Sequence, residues 1–437
     1  MHISIKNLGI VQSAEIELNG LTVLTGHNDI GKSFMGKLLF SIISTLKNSF
    51  RWNNIAKRRQ IIEYFNRIES AYRANLSSEK AQEFRHSASA LRNTILDYIT
   101  NNIADRHDLF EMILNFKKEL ISNLIEPIEI RRTITKYTLE RSKSEIEDSF
   151  DAIELMLQEQ TLDEDVYKRY FNSVIINNIF QGQISSFNSD ELLEITLIEG
   201  STVLLNIKVE NNIVKHFNYK NTIFISDASL IDTPKIIGLE KYFFESQVAI
   251  FRERELPFIY ADLMAKFSET LGSPVPIINY PKILEETHKI IGGEVIFSNV
   301  ERGFVFLKGE NKILSANMAS GVQSFGMLQM LLRSGNINNA SILIIDEPEV
   351  HLHPHWEIEY ARILVELSKA GVLIFISTHS SYFVQAISKY AGDYDIENNV
   401  KFYFGEKTNK NTFFTDVTND LNPIYNALAK PMKDIYP

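Results

Sequence analysis

Apolar and polar positions alternate through the first twenty-five residues. HISIKNLGIV, SAEIEL and LTVLT predict three strands, the last ending at Gly26. From Lys32 the period changes. KSFMGKLLFSIISTL sets Phe34, Leu38, Ser41 and Ile42 on one face and predicts a helix. Residues 45 to 170 are rich in Leu, Ile, Glu, Lys, Arg and Asn at helical spacing and nearly free of Gly and Pro. They predict a helical insertion, and the lack of a sustained heptad argues against a long coiled-coil arm. Strands return in ELLEITLIE, STVLLNIKVE, NIVKHF and NTIFIS, with Gly200 and Asn211–Asn212 at turns. Residues 239–270 predict helix, GGEVIFSN and GFVFLKG strands, and Gln323–Leu332 a long helix. ASILIID and GVLIFIS are continuous apolar runs, as expected of parallel strands buried on both faces. Between them PHWEIEYARILVELSKAG predicts a helix closed by Gly371 at C′. KFYFGEKTNKNTFFTDV predicts a hairpin, followed by a short helix near Ile424–Leu428.

Composition narrows the class. With 437 residues, 44% apolar and 23% charged, the chain can bury a sizeable core, in two or three domains or in one large domain with insertions. A net charge of −10 restricts any nucleic-acid contact to a local patch. The absence of cysteine excludes disulfides, Cys-based zinc sites and thiol nucleophiles, and suits a reducing cytoplasm. The N-terminus lacks the pattern of a signal peptide, and the longest apolar runs are too short for a bilayer. A cytoplasmic protein with no membrane partner is expected.

The strongest chemical signal is GHNDIGKS: Gly26, His27, Asn28, Asp29, Ile30, Gly31, Lys32 and Ser33, with Phe34 next. It matches the P-loop and lies between a strand and a helix. Backbone N–H groups of such a loop cradle phosphates, Lys32 would reach the β- and γ-phosphates, and the Ser33 hydroxyl would bind Mg2+. ILIIDE supplies the second half of a nucleotide site. Asp346 ends a buried strand, as a Walker B aspartate holding the Mg2+ shell would, and Glu347 is placed to act as general base on water. The ensuing PEVHLHPHW adds Glu349 and three alternate histidines, His351, His353 and His355. Taken alone that run leaves open a His–carboxylate metal site, although Pro354 interrupts it and the helical H-E-x-x-H pattern is absent.

Two weaker motifs follow the same order. ASGVQ, Ala319–Gln323, precedes ILIIDE by about twenty residues and is similar to the ABC signature Leu-Ser-Gly-Gly-Gln at Ser320, Gly321 and Gln323, with Val322 departing from it. In FISTHSS, His379 follows the last buried strand. Together these pieces resemble an ABC-type ATPase of the SMC/RecF/OLD group, and DEPEVHLHP resembles the extended Walker B and D-loop of OLD-like ATPases. The resemblance implies an α/β fold: an ABC-ATPase head, a P-loop NTPase with a mixed sheet core and an antiparallel β lobe, carrying a large helical insertion. Its expected segments are an N-terminal lobe with the P-loop (1–45), the insertion (46–170), strands of that lobe (171–237), a helical subdomain (238–290) and a C-terminal lobe (291–437). It implies ATP and Mg2+ as cofactors, and Glu347, His379 and Lys32 as catalytic residues, His379 being the switch histidine. It implies that Ser320, Gly321 and Gln323 complete the partner's site in trans, that two heads pair around ATP, and that the histidines of the D-loop face the dimer interface. Gln181 and Gln183 in FQGQIS are the Q-loop candidates. DYD at 393–395 is an insufficient sign of the Toprim nuclease many OLD-like proteins carry, so a separate effector partner is expected, as for ATPases of bacterial anti-phage systems. Alternatives are a DNA-repair or DNA-tethering ATPase and an ATP-gated scaffold with negligible turnover. For the former, Arg51, Trp52, Lys57, Arg58 and Arg59, and Arg131, Arg132, Lys136 and Arg141, are the candidate phosphate-binding groups, against the simpler reading of solvated helix faces.

Overall fold

The computed structural model describes the chain except residues 74–77, 102–105, 126–135, 159–161, 188–190, 221–224, 233–256, 269–277, 299, 302 and 436–437. It divides into two compact units, one of residues 1–47 and 167–437, the other of residues 48–166.

The first unit is built on one large mixed sheet in the order β6-β5-β4-β1-β2-β14-β13-β3-β12-β11-β7. The strands are β1 (His2–Leu8), β2 (Val11–Glu17), β3 (Leu21–Gly26), β4 (Leu193–Glu199), β5 (Thr202–Glu210), β6 (Ile213–Tyr219), β7 (Asp227–Ile231), β11 (Ser341–Asp346), β12 (Leu373–Thr378), β13 (Val400–Thr408) and β14 (Asn411–Asp416). One half, β6-β5-β4-β1-β2, is antiparallel. The other, β13-β3-β12-β11-β7, is parallel. The parallel strands are the continuous apolar runs. Every residue of β3 is buried, as is β11 up to Ile345, because helices cover both faces of such a sheet. The hairpin β13–β14 joins the halves, pairing parallel to β3 on one side and to β2 on the other.

A second, three-stranded antiparallel sheet comprises β8 (Glu294–Ser298), β9 (Gly303–Lys308) and β10 (Asn311–Leu314). The helices of this unit, in chain order after those of the second unit, are α5 (Asp163–Tyr170, whose second half follows residue 166), α6 (Phe258–Ser268), α7 (Pro281–Ile291), α8 (Ser320–Arg333), α9 (Pro354–Lys369), α10 (Ser381–Asp393) and α11 (Asn422–Ile435). A core of Phe325, Leu328, Leu331, Tyr360, Ile363, Leu364, Phe383 and Ile387 joins α8, α9 and α10 to the parallel sheet. α9 ends as expected: Ala370 is the C-cap and Gly371 follows at φ +93°, a left-handed backbone that glycine adopts without strain.

The second unit is helical: α2 (Ser78–Asn101), α3 (Arg106–Ile125) and α4 (Lys136–Gln158), with the greater part of α1 (Lys32–Arg73), which begins in the first unit. It has its own core of Ile61, Phe65, Ile68, Ile95, Leu109, Ile113, Ile146, Phe150 and Ile153.

NTIFIS lies mostly outside the described residues, and a strand is present at Asp227–Ile231. The helix expected over 239–270 is present at Phe258–Ser268, and most of the rest lies outside the described residues. DYD at 393–395 closes α10: Asp393 is its last residue and pairs with Lys389, and Tyr394 is the C-cap.

Candidate nucleotide site

β3 delivers the P-loop at the C-terminal edge of the parallel sheet. Thr25 pairs with Thr378 of β12, and Gly26 with Gly405 of β13. The loop needs its glycines. Gly26 lies at φ +135°, and a Cβ there would sit 2.4 Å from Ile30 Cδ1 and 2.7 Å from the Gly405 carbonyl oxygen. Gly31 lies at φ +88°, with a Cβ meeting Val11 at 2.6 Å. Both are conformations or approaches closed to larger residues. His27, Asn28 and Asp29 are exposed, Asp29 at φ +59° with Lys407 3.2 Å from its carboxylate, whereas Ile30 is buried and anchors the loop. Ser33 and Phe34 are half-buried in the first turn of α1. The Phe34 ring packs edge-on against Phe180 (5.3 Å between centroids) and Phe187 (5.7 Å), which brings the FQGQIS segment beside this turn. The orphan N–H groups and positive dipole end of a long helix at this place suit an anion.

Lys32 is only 5% exposed. Its Nζ donates to the carbonyls of Gly26 (3.2 Å) and His27 (2.9 Å) and lies 3.0 Å from His379 Nε2. That ring nitrogen is also 2.9 Å from Glu347 Oε1. Thus Lys32, His379 and Glu347 form one contact chain. The nitrogen can accept from Lys32 or donate to Glu347, but a neutral ring cannot do both there. Burial pushes the Lys32 ammonium down to about 8, against the pull of Glu347, Asp346 and Glu349. Burial, then Lys32, lowers His379, with Glu347 opposing.

The acids sit at the ends of β11 and its turn. Asp346 pairs in register with Ser377 of β12, whose hydroxyl donates to Asp346 Oδ1. Glu347 is left-handed, at φ +49°, with its N–H held by the Ser377 carbonyl at 2.9 Å. A non-glycine residue in that region stores strain of the kind found at functional sites. It turns the Glu347 side chain onto His379. The phosphate-and-metal requirement fits this donor set: hard oxygen ligands from Ser33 and Asp346 suit Mg2+, and a further carboxylate, Asp232, lies at the end of β7 with its buried Oδ1 lacking a hydrogen-bond partner.

Glu349 has a role that the sequence left open. Its Oε1 accepts the backbone N–H groups of His379 (2.6 Å) and Ser380 (3.1 Å). Burial raises its carboxyl above the usual range, and these backbone bonds oppose the rise. Ser380 then caps α10 through the Phe383 N–H and donates to Glu357 Oε2 on α9. The loop carrying His379 is therefore fixed from the Walker B turn on one side and from α9 on the other. An acid two residues beyond Asp-Glu was the available signal.

The signature segment starts α8. Ala319 is its N-cap and Ser320 its first residue. Ser320 Oγ donates to the His351 carbonyl (3.3 Å). Gly321 admits Trp356: a Cβ would lie 2.6 Å from that indole and 3.3 Å from Leu352. Val322 faces the core at 8% exposure, which accommodates an apolar residue where glycine is usual. Gln323 Nε2 reaches the Ser315 carbonyl at 3.4 Å. Further along, buried Gln329 accepts the Val295 N–H (2.8 Å) and donates to the Gly293 carbonyl, tying α8 to β8. Ser320, Gly321 and Gln323 are thus held to the D-loop and their own helix start, and no described bond brings them to the P-loop of the same chain. The three histidines are exposed. His353 caps α9, its Nδ1 accepting from the His355 N–H at 3.2 Å, and among the described residues no group of three His, Cys, Asp or Glu side chains could hold a metal ion.

Among the basic candidates, Arg131 and Arg132 lie outside the described residues. Arg58 donates to the Leu96 carbonyl and Thr100 hydroxyl in the last turns of α2, where a cation also suits the helix dipole. Arg141 lines a cleft of about 590 Å3 with Arg67 but also Glu140, Glu145 and Asp148, so its charge is largely balanced. Neither arrangement favours a phosphate backbone. Among the described residues no helix is long and apolar enough to cross a membrane.

No curated protein matches the chain. Among solved structures, an SMC head bound to the C-winged helix domain of ScpA is similar at 11% identity and TM-score 0.43, covering 95% of this chain and 97% of that one. The SMC head domain from Thermotoga maritima is similar at 9% identity and TM-score 0.38, covering 95% and 98%. With identities and TM-scores so low, the fold rests on the sheet order, the P-loop geometry and the family: a model described as the AAA ATPase domain matches residues 1–384, and the chain belongs to that family of ATPases.

Proposed function

We propose that the protein binds and hydrolyses ATP as an ABC-type ATPase whose heads pair around the nucleotide, and that the pairing controls a partner effector. The observation carrying this is the Lys32–His379–Glu347 chain, with 3.0 and 2.9 Å contacts, beside a P-loop and the Asp346 carboxylate. In this reading the P-loop N–H groups and Lys32 hold the phosphates, and Ser33 and Asp346 hold Mg2+, which neutralises charge on the transferred phosphoryl group. Glu347 accepts the proton of the attacking water, and His379, kept neutral by burial and by Lys32, orients it. Ser320, Gly321 and Gln323 serve the partner head's nucleotide, which accords with their placement on the D-loop side of α8. The SMC/RecF/OLD resemblance, OLD-like in DEPEVHLHP, suggests a cytoplasmic anti-phage system in which the effector is a separate protein. The test pairs two variants. Lys32→Ala is expected to lose nucleotide binding, and Glu347→Gln to bind ATP while releasing phosphate at least a hundredfold more slowly. Phosphate release at the wild-type rate from Glu347→Gln would sink the assignment.

A further inference from the structure

β7 is the edge of the parallel sheet next to the Walker B strand. Its register is fixed: Ile231 pairs with Ile345, so the next residues, Asp232 and Asp346, leave neighbouring parallel strands at the same level. On the other side Asp346 pairs with Ser377. Across β12, β11 and β7 the row is therefore Ser377, Asp346, Asp232. Adjacent strands lie about 4.8 Å apart, so two carboxylates issue side by side from the edge where the P-loop also emerges. Burial raises the Asp232 carboxyl above the usual range; Lys37, one turn beyond the P-loop on α1, opposes the rise, and Asp346 adds to it. Asp232 Oδ1 is closed to solvent and has no hydrogen-bond partner. A buried carboxylate oxygen left unpaired is destabilising, and a neighbouring like charge adds to this. A fold that needed only packing here would do better with an apolar residue. A divalent cation removes both penalties.

We infer that Asp232 is a second carboxylate of the nucleotide site, acting with Asp346 on the divalent cation that accompanies the phosphates. This rests on the proposed ATP site. Neither of the neighbouring groups suffices to explain Asp232 as structural alone: Lys37 can balance its charge but is not bonded to Oδ1.

The test uses full-length protein and Mn2+ as the probe. Nucleotide affinity is measured in EDTA, and Mn2+ affinity of the ATP-loaded protein by its electron paramagnetic resonance signal, for wild type, Asp232→Asn, Asp346→Asn and Lys37→Gln. Asp232→Asn is expected to leave EDTA affinity within twofold and to weaken Mn2+ at least tenfold, with Asp346→Asn losing more. Lys37→Gln is expected to leave Mn2+ affinity unchanged or stronger, since it removes a nearby positive charge. Unchanged Mn2+ affinity in Asp232→Asn, beside a clear loss in Asp346→Asn, would overturn the inference while keeping the ATP site. A loss reproduced by Lys37→Gln would also overturn it, making Asp232 a partner of Lys37. Absence of nucleotide binding by wild-type protein would remove the ATP reading itself.

Discussion

Glu349 offers the sharpest single-site perturbation. Its Oε1 accepts from the N–H groups of His379 and Ser380, and its side chain is half-buried. Ser380 N–H also reaches Thr378 Oγ1 at 3.0 Å, so Glu349→Ala leaves the His379 N–H as the donor without its partner. At about 1–3 kcal/mol for an unsatisfied group, and roughly 2 °C of melting temperature per kcal/mol for a unit of this size, the head transition should fall by roughly 2–6 °C. Glu349→Gln retains an acceptor oxygen and, being neutral, avoids the cost of a buried charge; it should melt within about 2 °C of wild type. The same loop carries His379, so phosphate release should drop by one to two orders of magnitude in Glu349→Ala, a scale set by misplacing a catalytic group by about 1 Å, and recover in Glu349→Gln. Calorimetry and a steady-state phosphate assay measure the two effects. Equal melting of all three proteins, or a Gln variant as unstable as the Ala variant, would refute the reasoning that the His379 N–H depends on this oxygen.

Two further outcomes follow from the same geometry. Because burial holds Lys32 at about 8 and bound phosphate favours the ammonium, ATP affinity should be level below pH 7 and fall above pH 8, by up to tenfold per unit; titration calorimetry from pH 6.5 to 9.5 checks this. Lys32's own contribution to stability runs the other way: its folded pKa lies below its ordinary 10.5, so stability should rise between about pH 8 and 10.5. Gly405→Ala would place a Cβ 2.4 Å from Ile30 Cδ1 and 2.8 Å from the Phe414 ring. Overpacking of this kind costs about 1–3 kcal/mol and pushes on the P-loop, so nucleotide affinity should weaken several-fold, and an unchanged affinity would show that Ile30 does not anchor the loop.

How far the sequence reaches depends on whether a feature is local. The buried strands ILIID and LIFIST, the helix from Lys32 and the stop at Gly371 follow from runs, periods and caps carried by neighbouring residues. The hairpin β13–β14 is also local, but its insertion between β3 and β2 is not, since pairing partners almost four hundred residues away leave no mark on KFYFGEKT. β7 is hard to read for a related reason: DASLI carries little strand signal of its own, yet it pairs with β11, and SLID repeats the pattern of IIDE, an apolar run ending in an acid. The P-loop and Asp-Glu pair were legible because their spacing is their chemistry. The contact of His379 with both Lys32 and Glu347, and the grip of Glu349 on the His379 loop, arise only when β3, β11 and β12 lie side by side. Arg58 shows the converse: as a sequence it belongs to a basic patch, while folded it closes the end of α2.

The central claim is that ATP joins two heads. Purified Glu347→Gln should be weighed in solution by light scattering with and without ATP and Mg2+. The account predicts a doubling of mass on adding both, reversed by EDTA and absent in a Lys32→Ala/Glu347→Gln double variant. A mass that stays that of the single chain while ATP is demonstrably bound would contradict it.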